Sequence, residues 1–172
     1  MKWYGLNKKV RDPRGIMASR AKLTWCRDPP CNDVDALCSQ MDEDLTLLRQ
    51  LRREHPRRFY LLRFEDLSTD VEAETDKLFR FLQLPLTMTT KVFLTTHTRT
   101  NNRNEEDPYA TNRLSRDMVS HWRKDLSPAD IDFISSHCAT VLKNLHYDIW
   151  NLWRETSAFS FSYISPYFPD RC

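Results

Sequence analysis

Arg11 and Ser19 stand eight residues apart in the stretch Arg11-Asp-Pro-Arg-Gly-Ile-Met-Ala-Ser-Arg20. A guanidinium and a hydroxyl are both donors suited to phosphate or sulfate oxygens. Between them lies a helix start: Asp12 is a good N-cap, and Pro13 fits the first helical position, where its missing N–H costs nothing. Such a helix turns free N–H groups and the positive end of its dipole toward an anion, with Arg11 just ahead of it and Ser19 about two turns along. The same residues also suit a plain helix start with Arg11, Arg14 and Arg20 solvated, so spacing alone assigns no ligand.

A second set of donors is Thr111-Asn-Arg113-Leu-Ser115, in a polar region that also carries Arg99, Arg103, Arg116 and Arg123. It suits an anion contact or a solvated loop equally well. The cysteines do not suit a metal. Four residues separate Cys26 from Cys31 and six separate Cys31 from Cys38, with no second close pair or histidine pair to complete a tetrahedron. Disulfides or buried thiols are the reading, and Cys38 and Cys138 both fall on apolar helix stripes, with pairing between them left open. No Gly-x-Ser-x-Gly elbow occurs, and His55, His97, His121, His137 and His146 belong to no catalytic motif. His97 stands out only for its place in the polar region.

The composition narrows the chemistry further. Two glycines in 172 residues leave no Gly-x-x-x-x-Gly-Lys loop and no dinucleotide fingerprint, so any phosphate must be met by arginines and helix ends. A net charge of +2 from 26 basic and 24 acidic residues is too balanced to argue for nucleic acid. No apolar run approaches the roughly 18 residues of a membrane span, and residues 1–20 lack the apolar centre of a signal peptide.

The elements that must position these residues follow from pattern. Residues 1–10 have little apolar periodicity, which predicts no buried strand. Asn32 or Asp33 caps a long helix carrying Leu37, Met41, Leu45, Leu48 and Leu51, ending near His55-Pro56. Phe59-Tyr-Leu-Leu-Arg-Phe64 suits a buried strand with Glu65-Asp66-Leu67 at its exit. Ser68, Thr69 or Asp70 caps a second helix with Val71, Leu78, Phe79 and Leu82 inward, stopped by Leu84-Pro85. Residues 95–115 read as an exposed loop. Ser127-Pro128 opens a third helix carrying Ile131, Ile134, Cys138, Val141, Leu142 and Leu145. Helix–strand–helix order around residues 33–82 favours an α/β layer with parallel strands. The aromatic tail, residues 149–172, has no clear period.

Four features, in order, carry a resemblance: Arg11-Asp-Pro-Arg-Gly-x-x-x-Ser19-Arg20; Phe59-Tyr-Leu-Leu-Arg-Phe-Glu-Asp-Leu67 with Leu78-Phe-Arg-Phe-Leu-Gln-Leu84; Tyr109-Ala-Thr-Asn-Arg-Leu-Ser115 with Trp122-Arg123; and Cys138 through Leu145-His-Tyr147. Together they resemble the carbohydrate sulfotransferases, especially the Golgi enzymes that sulfate the 6-hydroxyl of N-acetylglucosamine or galactose. The resemblance implies a P-loop-like sulfotransferase fold in truncated form: helix-rich α/β with a small parallel sheet remnant, residues 1–148 being a C-terminal portion of that domain. It implies 3′-phosphoadenosine 5′-phosphosulfate as donor and a glycan as acceptor, with no metal. Arg11 and Ser19 would then bind the donor's 3′-phosphate, Phe64 would stand where the family usually has a tyrosine near the adenine, and Arg113 and Ser115 are weaker candidates for the same phosphate region.

The departures are specific. The family's Arg-Ser-Gly-Ser-Ser type loop for the 5′-phosphosulfate does not occur here, nor does its membrane anchor, and polar Asn7-Lys8-Lys9 stands where a strand normally feeds into Arg-Asp-Pro-Arg. No catalytic base is assigned. The expectation is half of a donor site, with little or no turnover by this chain alone. The alternative is a non-catalytic module that binds a 3′-phosphonucleotide or a sulfated glycan.

Overall fold

A computed structural model of the chain describes residues 6–98 and 114–148. Two five-residue strands, β1 (Leu6–Val10) and β2 (Phe59–Arg63), pair in parallel with Leu6 opposite Phe59 and Val10 opposite Arg63. The crossover between them consists of α1 (Pro13–Arg20) and α2 (Val34–Glu54). After β2 come α3 (Phe64–Thr69), α4 (Val71–Phe81) and α5 (Met88–Thr98). A short 3-10 helix (Ser115–Val119) leads into α6 (Trp122–Asp125), α7 (Pro128–His137) and α8 (Ala139–Asn144). The result is the expected helix-rich α/β layer with a small parallel sheet.

The strand β1 corrects the reading of residues 1–10. Its pairing with β2 makes it a strand, and its two lysines are accommodated individually: Lys8 forms an ion pair with Asp44 of α2, while Lys9 is exposed with its Nζ 5.1 Å from the centre of the Phe64 ring. Val10 supplies a buried apolar contact at 6% exposure. Backbone pairing outweighs side-chain pattern in this strand. The strand that was expected to be missing ahead of Arg11 is therefore present.

Residues 88–98 correct the loop assignment for 95–115 at its start, because α5 runs to Thr98. Its threonines return their hydroxyls to the helix: Thr95, Thr96 and Thr98 donate to the carbonyls of Lys91, Val92 and Leu94 at 3.0, 3.0 and 2.7 Å. No residue of α5 is buried, so it lacks the apolar stripe from which a helix is read. His97 stacks on Phe93 with ring centres 3.9 Å apart and its Nδ1 2.9 Å from the Phe93 carbonyl, which occupies it within its own helix. Arg99, Arg103, Arg113 and the aromatic tail lie outside the described residues.

The main core gathers Val10, Cys38, Leu45, Ile134, Cys138, Val141, Leu142, Leu145 and Tyr147. The expected stripe of the third helix is here from Ile134 onward, while Ile131 packs in a second cluster with Ala18 and Trp122; the helix breaks at Cys138 (φ −96°, ψ 14°) into α7 and α8, both of which pack on α2. Cys38 and Cys138 form a disulfide across this core, and Cys26 and Cys31 form another in the loop after α1, which settles the pairing left open. Bridged sulfurs are not thiolate ligands, so none of these four can hold zinc.

Ser127 begins α7 with a reciprocal cap: its hydroxyl accepts from the Asp130 amide at 3.2 Å, and the Asp130 carboxylate accepts from the Ser127 amide at 3.3 Å. Ser127→Ala is expected to lower stability by about 1 kcal/mol, read as a fall in the urea midpoint at unchanged slope. A midpoint equal to wild type would remove the cap from the account of α7.

Candidate functional site

The site is built at the corner where β1 turns into α1. Asp12 caps α1 as expected, its Oδ1 accepting from the Arg14 amide at 2.9 Å. The carboxylate also receives the Arg14 guanidinium, from Nε at 2.9 Å and from Nη2 at 2.7 Å. Asp12 and Arg14 are 4% and 5% exposed, and the Arg14 guanidinium lies 4.4 Å from the Trp122 ring centre. Arg14 is thus a buried structural cation rather than a solvated one. Asp12 thus takes one of the N–H groups at the start of α1, that of Arg14, and places a carboxylate at the positive end of its dipole.

Arg11 and Ser19, the two donors singled out in the sequence, meet at this corner. Arg11 Nη1 donates to Ser19 Oγ at 2.9 Å, and Ser19 Oγ donates in turn to the Gly15 carbonyl at 2.9 Å. The guanidinium lies 4.5 Å from the centre of the Phe64 ring at the start of α3. A Cβ on Gly15 would stand 3.0 Å from Arg11 Nε, so the glycine makes room for the arginine to lie along the first turns of α1. Three of the five residues singled out in the sequence, Arg11, Ser19 and Phe64, therefore meet. Of the three, Arg11 alone also lines a cavity of about 200 Å³, with Lys8, Lys9, Val10, Ile16, Met41 and Asp44.

Ser115 opens the 3-10 helix and, with Arg116, lines a different cavity of about 310 Å³ against Ser68–Glu72 of α3 and α4 and Leu94, Thr95 and Thr98 of α5. Arg113 lies outside the described residues.

Sequence reasoning missed Glu65 and Tyr147. Glu65 is buried behind Arg11, accepting from the Asp12 amide at 3.0 Å with Oε1 and from the Tyr147 hydroxyl at 2.5 Å with Oε2. Burial raises the Glu65 carboxyl above the ordinary range, against the lowering effect of its hydrogen bonds from Tyr147 and Asp12. Burial, then the Glu65 charge, raises the Tyr147 hydroxyl far enough that it stays a neutral donor. The signal available was the carboxylate following Phe64 at the mouth of the strand, but its partners lie 53 and 82 residues away in sequence.

The sulfotransferase domain family matches residues 9–146. The chain belongs to the sulfotransferase domain family. Carbohydrate sulfotransferase 1 of Mus musculus is 28% identical over 157 residues, covering 83% of this chain and 38% of the relative. Carbohydrate sulfotransferase 1 of Danio rerio is 29% identical over 171 residues, covering 90% of this chain and 41% of the relative. Carbohydrate sulfotransferase 3 of Tetronarce californica is 24% identical over 155 residues, 81% of this chain and 35% of the relative. The chain thus spans about two fifths of the length of these relatives. No solved structure matches it significantly. Among the described residues no helix is long and apolar enough to cross a membrane, and no group of three or more His, Cys, Asp and Glu side chains is placed to hold a metal ion.

Proposed function

We propose that this sulfotransferase chain holds the 3′-phosphate of 3′-phosphoadenosine 5′-phosphosulfate in an enzyme that transfers the sulfuryl group to a carbohydrate hydroxyl. The 6-hydroxyl of N-acetylglucosamine or galactose in a glycan, glycosaminoglycans included, is the proposed acceptor, and the Golgi lumen the proposed setting. The observation that carries the reading is the Arg11–Ser19 hydrogen bond laid over Phe64. A guanidinium fork and a hydroxyl fit a phosphate's divergent oxygens, and Gly15 keeps a side chain out of the approach. Phe64 offers an apolar face and no hydroxyl to a purine. The two disulfides support an oxidising compartment.

In-line sulfuryl transfer needs the donor fixed and the charge on its bridging oxygen neutralised. Arg11 and Ser19 do the first, by gripping the end of the donor remote from the reaction. No residue here is assigned the second task, and the chain has no Arg-Ser-Gly-Ser-Ser type loop. Turnover by the chain alone is therefore proposed to be very low, and robust sulfation of N-acetylglucosamine-terminated acceptors by it would overturn that statement.

Calorimetry with adenosine 3′,5′-bisphosphate and adenosine 5′-phosphate tests the site. The bisphosphate is expected to bind tighter, and Arg11→Ala to weaken it by about 10- to 150-fold, the loss of roughly 1.5–3 kcal/mol from a charged hydrogen bond. Gly15→Ala is expected to weaken it as well, by crowding Arg11, while leaving α1 helical. Equal affinity for the two nucleotides in the wild type would refute the assignment, whichever acceptor the enzyme uses.

A further inference from the structure

Arg11 is held at both ends by two adjacent residues. Its guanidinium rests on the ring of Phe64, and the peptide that joins it to Asp12 is held by Glu65, whose Oε1 receives the Asp12 N–H at 3.0 Å. That amide lies in the peptide plane directly following the Arg11 Cα. Fixing it fixes the direction in which the Arg11 side chain leaves the strand. The other Glu65 oxygen receives the hydroxyl of Tyr147, which comes from the far end of the described chain.

Tyr147 is itself anchored. After α8 the backbone turns through His146 in the left-handed region (φ 54°), and the Tyr147 N–H donates to the Leu142 carbonyl at 2.8 Å. The Tyr147 ring is 7% exposed and carries the Arg63 guanidinium 4.5 Å from its centre. Arg63 in turn sits 3.8 Å from Asp66. The hydroxyl cannot swing away without breaking this packing.

We infer that Glu65 and Tyr147 are positioning residues for the nucleotide site, a buried clamp that fixes the Arg11–Asp12 peptide so that Arg11 reaches the 3′-phosphate. The inference rests on the reading of Arg11 as the 3′-phosphate contact. It assigns the α7–α8 pair a part in nucleotide selection, because that pair delivers Tyr147 to the back of the site. Neither residue touches the ligand.

The test compares discrimination, the affinity for adenosine 3′,5′-bisphosphate over that for adenosine 5′-phosphate, in wild type, Arg11→Ala, Tyr147→Phe, Glu65→Gln and Glu65→Ala. Tyr147→Phe leaves one Glu65 oxygen without its donor and is expected to cut discrimination by about tenfold, the scale of one charged hydrogen bond. Affinity for adenosine 5′-phosphate should hold within about twofold in the same variant. Glu65→Gln keeps an acceptor for the Asp12 amide and a partner for the Tyr147 oxygen, so it is expected to retain discrimination that Glu65→Ala loses. A residue with only a structural role would weaken both nucleotides together. Hydrogen exchange gives a reading that needs no ligand: the Asp12 amide should exchange faster in Tyr147→Phe, and unchanged protection there would overturn the clamp even if Glu65→Ala does not fold. Collapse of discrimination in Arg11→Ala with full retention in Tyr147→Phe would overturn the inference and leave the phosphate reading standing. No discrimination in the wild type would overturn both.

Discussion

Asp12→Ala is expected to destabilise the folded chain by about 3–5 kcal/mol, the range for leaving one partner of a buried ion pair without the other. The carboxylate is surrounded by work that nothing else can take over: it caps α1 through the Arg14 amide and neutralises a guanidinium whose side chain is 6% exposed. Removing it strands the Arg14 charge against Trp122, which offers a ring face and no acceptor. Asp12→Asn separates the two parts, since asparagine caps a helix about as well as aspartate but brings no charge. It should recover the cap's share, about 1 kcal/mol, and no more. Adding Arg14→Leu to Asp12→Ala should restore a large part of the loss, because an apolar pair in a buried site is often no worse than an ionic one. Urea unfolding of the three variants checks this, and a loss below about 1 kcal/mol in Asp12→Ala would mean the pair is far better solvated than its burial implies.

The same pair gives the two arginines of the motif different surroundings. Arg14 is consumed by Asp12, whereas Arg11 lies over the ring of Phe64 and donates to the hydroxyl of Ser19. The difference is set by the proline-led helix start: position 11 follows the last residue of β1, and position 14 falls on the helix face turned toward α6. On the proposed 3′-phosphate reading, two chemically identical side chains three residues apart serve stability and recognition separately.

What could be read from the sequence was whatever local chemistry decides. Asp12-Pro13 and Ser127-Pro128 announce helix starts because a cap and a proline act within one turn, and both starts stand where expected. The apolar stripe from Ile131 to Leu145 was legible for the same reason, although its break at Cys138 was not, since a continuous helix has the same period. β1 escaped because two lysines in five residues hide a strand that exists through pairing with residues about fifty positions later. Arg11, Ser19 and Phe64 were legible as a motif, and their meeting required only that β1, α1 and α3 share a corner. Glu65 as the support of that corner was not legible, because its role is defined by Tyr147, a contact that exists only after the whole domain has closed.

That closure depends on the bond between Cys38 and Cys138, and the second large effect is expected there. It spans 100 residues of sequence and lies in the main core, its cysteines 5% and 1% exposed. Constraining a loop of that size in the unfolded chain is worth about 4.7 kcal/mol, against about 2 kcal/mol for the five-residue separation of Cys26 and Cys31. Cys38→Ala/Cys138→Ala is therefore expected to lower stability by about 2–5 kcal/mol, and by more than Cys26→Ala/Cys31→Ala. Alanine keeps the site apolar, so the comparison is not confused by buried hydroxyls. Thermal unfolding of both double variants, without reductant, gives the order directly, and a larger loss from the short bridge would reject the loop-closure account. The consequence reaches the nucleotide site. Cys138 and Tyr147 share one cluster with Leu142 and Leu145, so loosening α8 from α2 should free the hydroxyl that holds Glu65. In the Cys38→Ala/Cys138→Ala chain, at temperatures where it remains folded, discrimination for the 3′-phosphate should fall, while in the Cys26→Ala/Cys31→Ala chain it should hold.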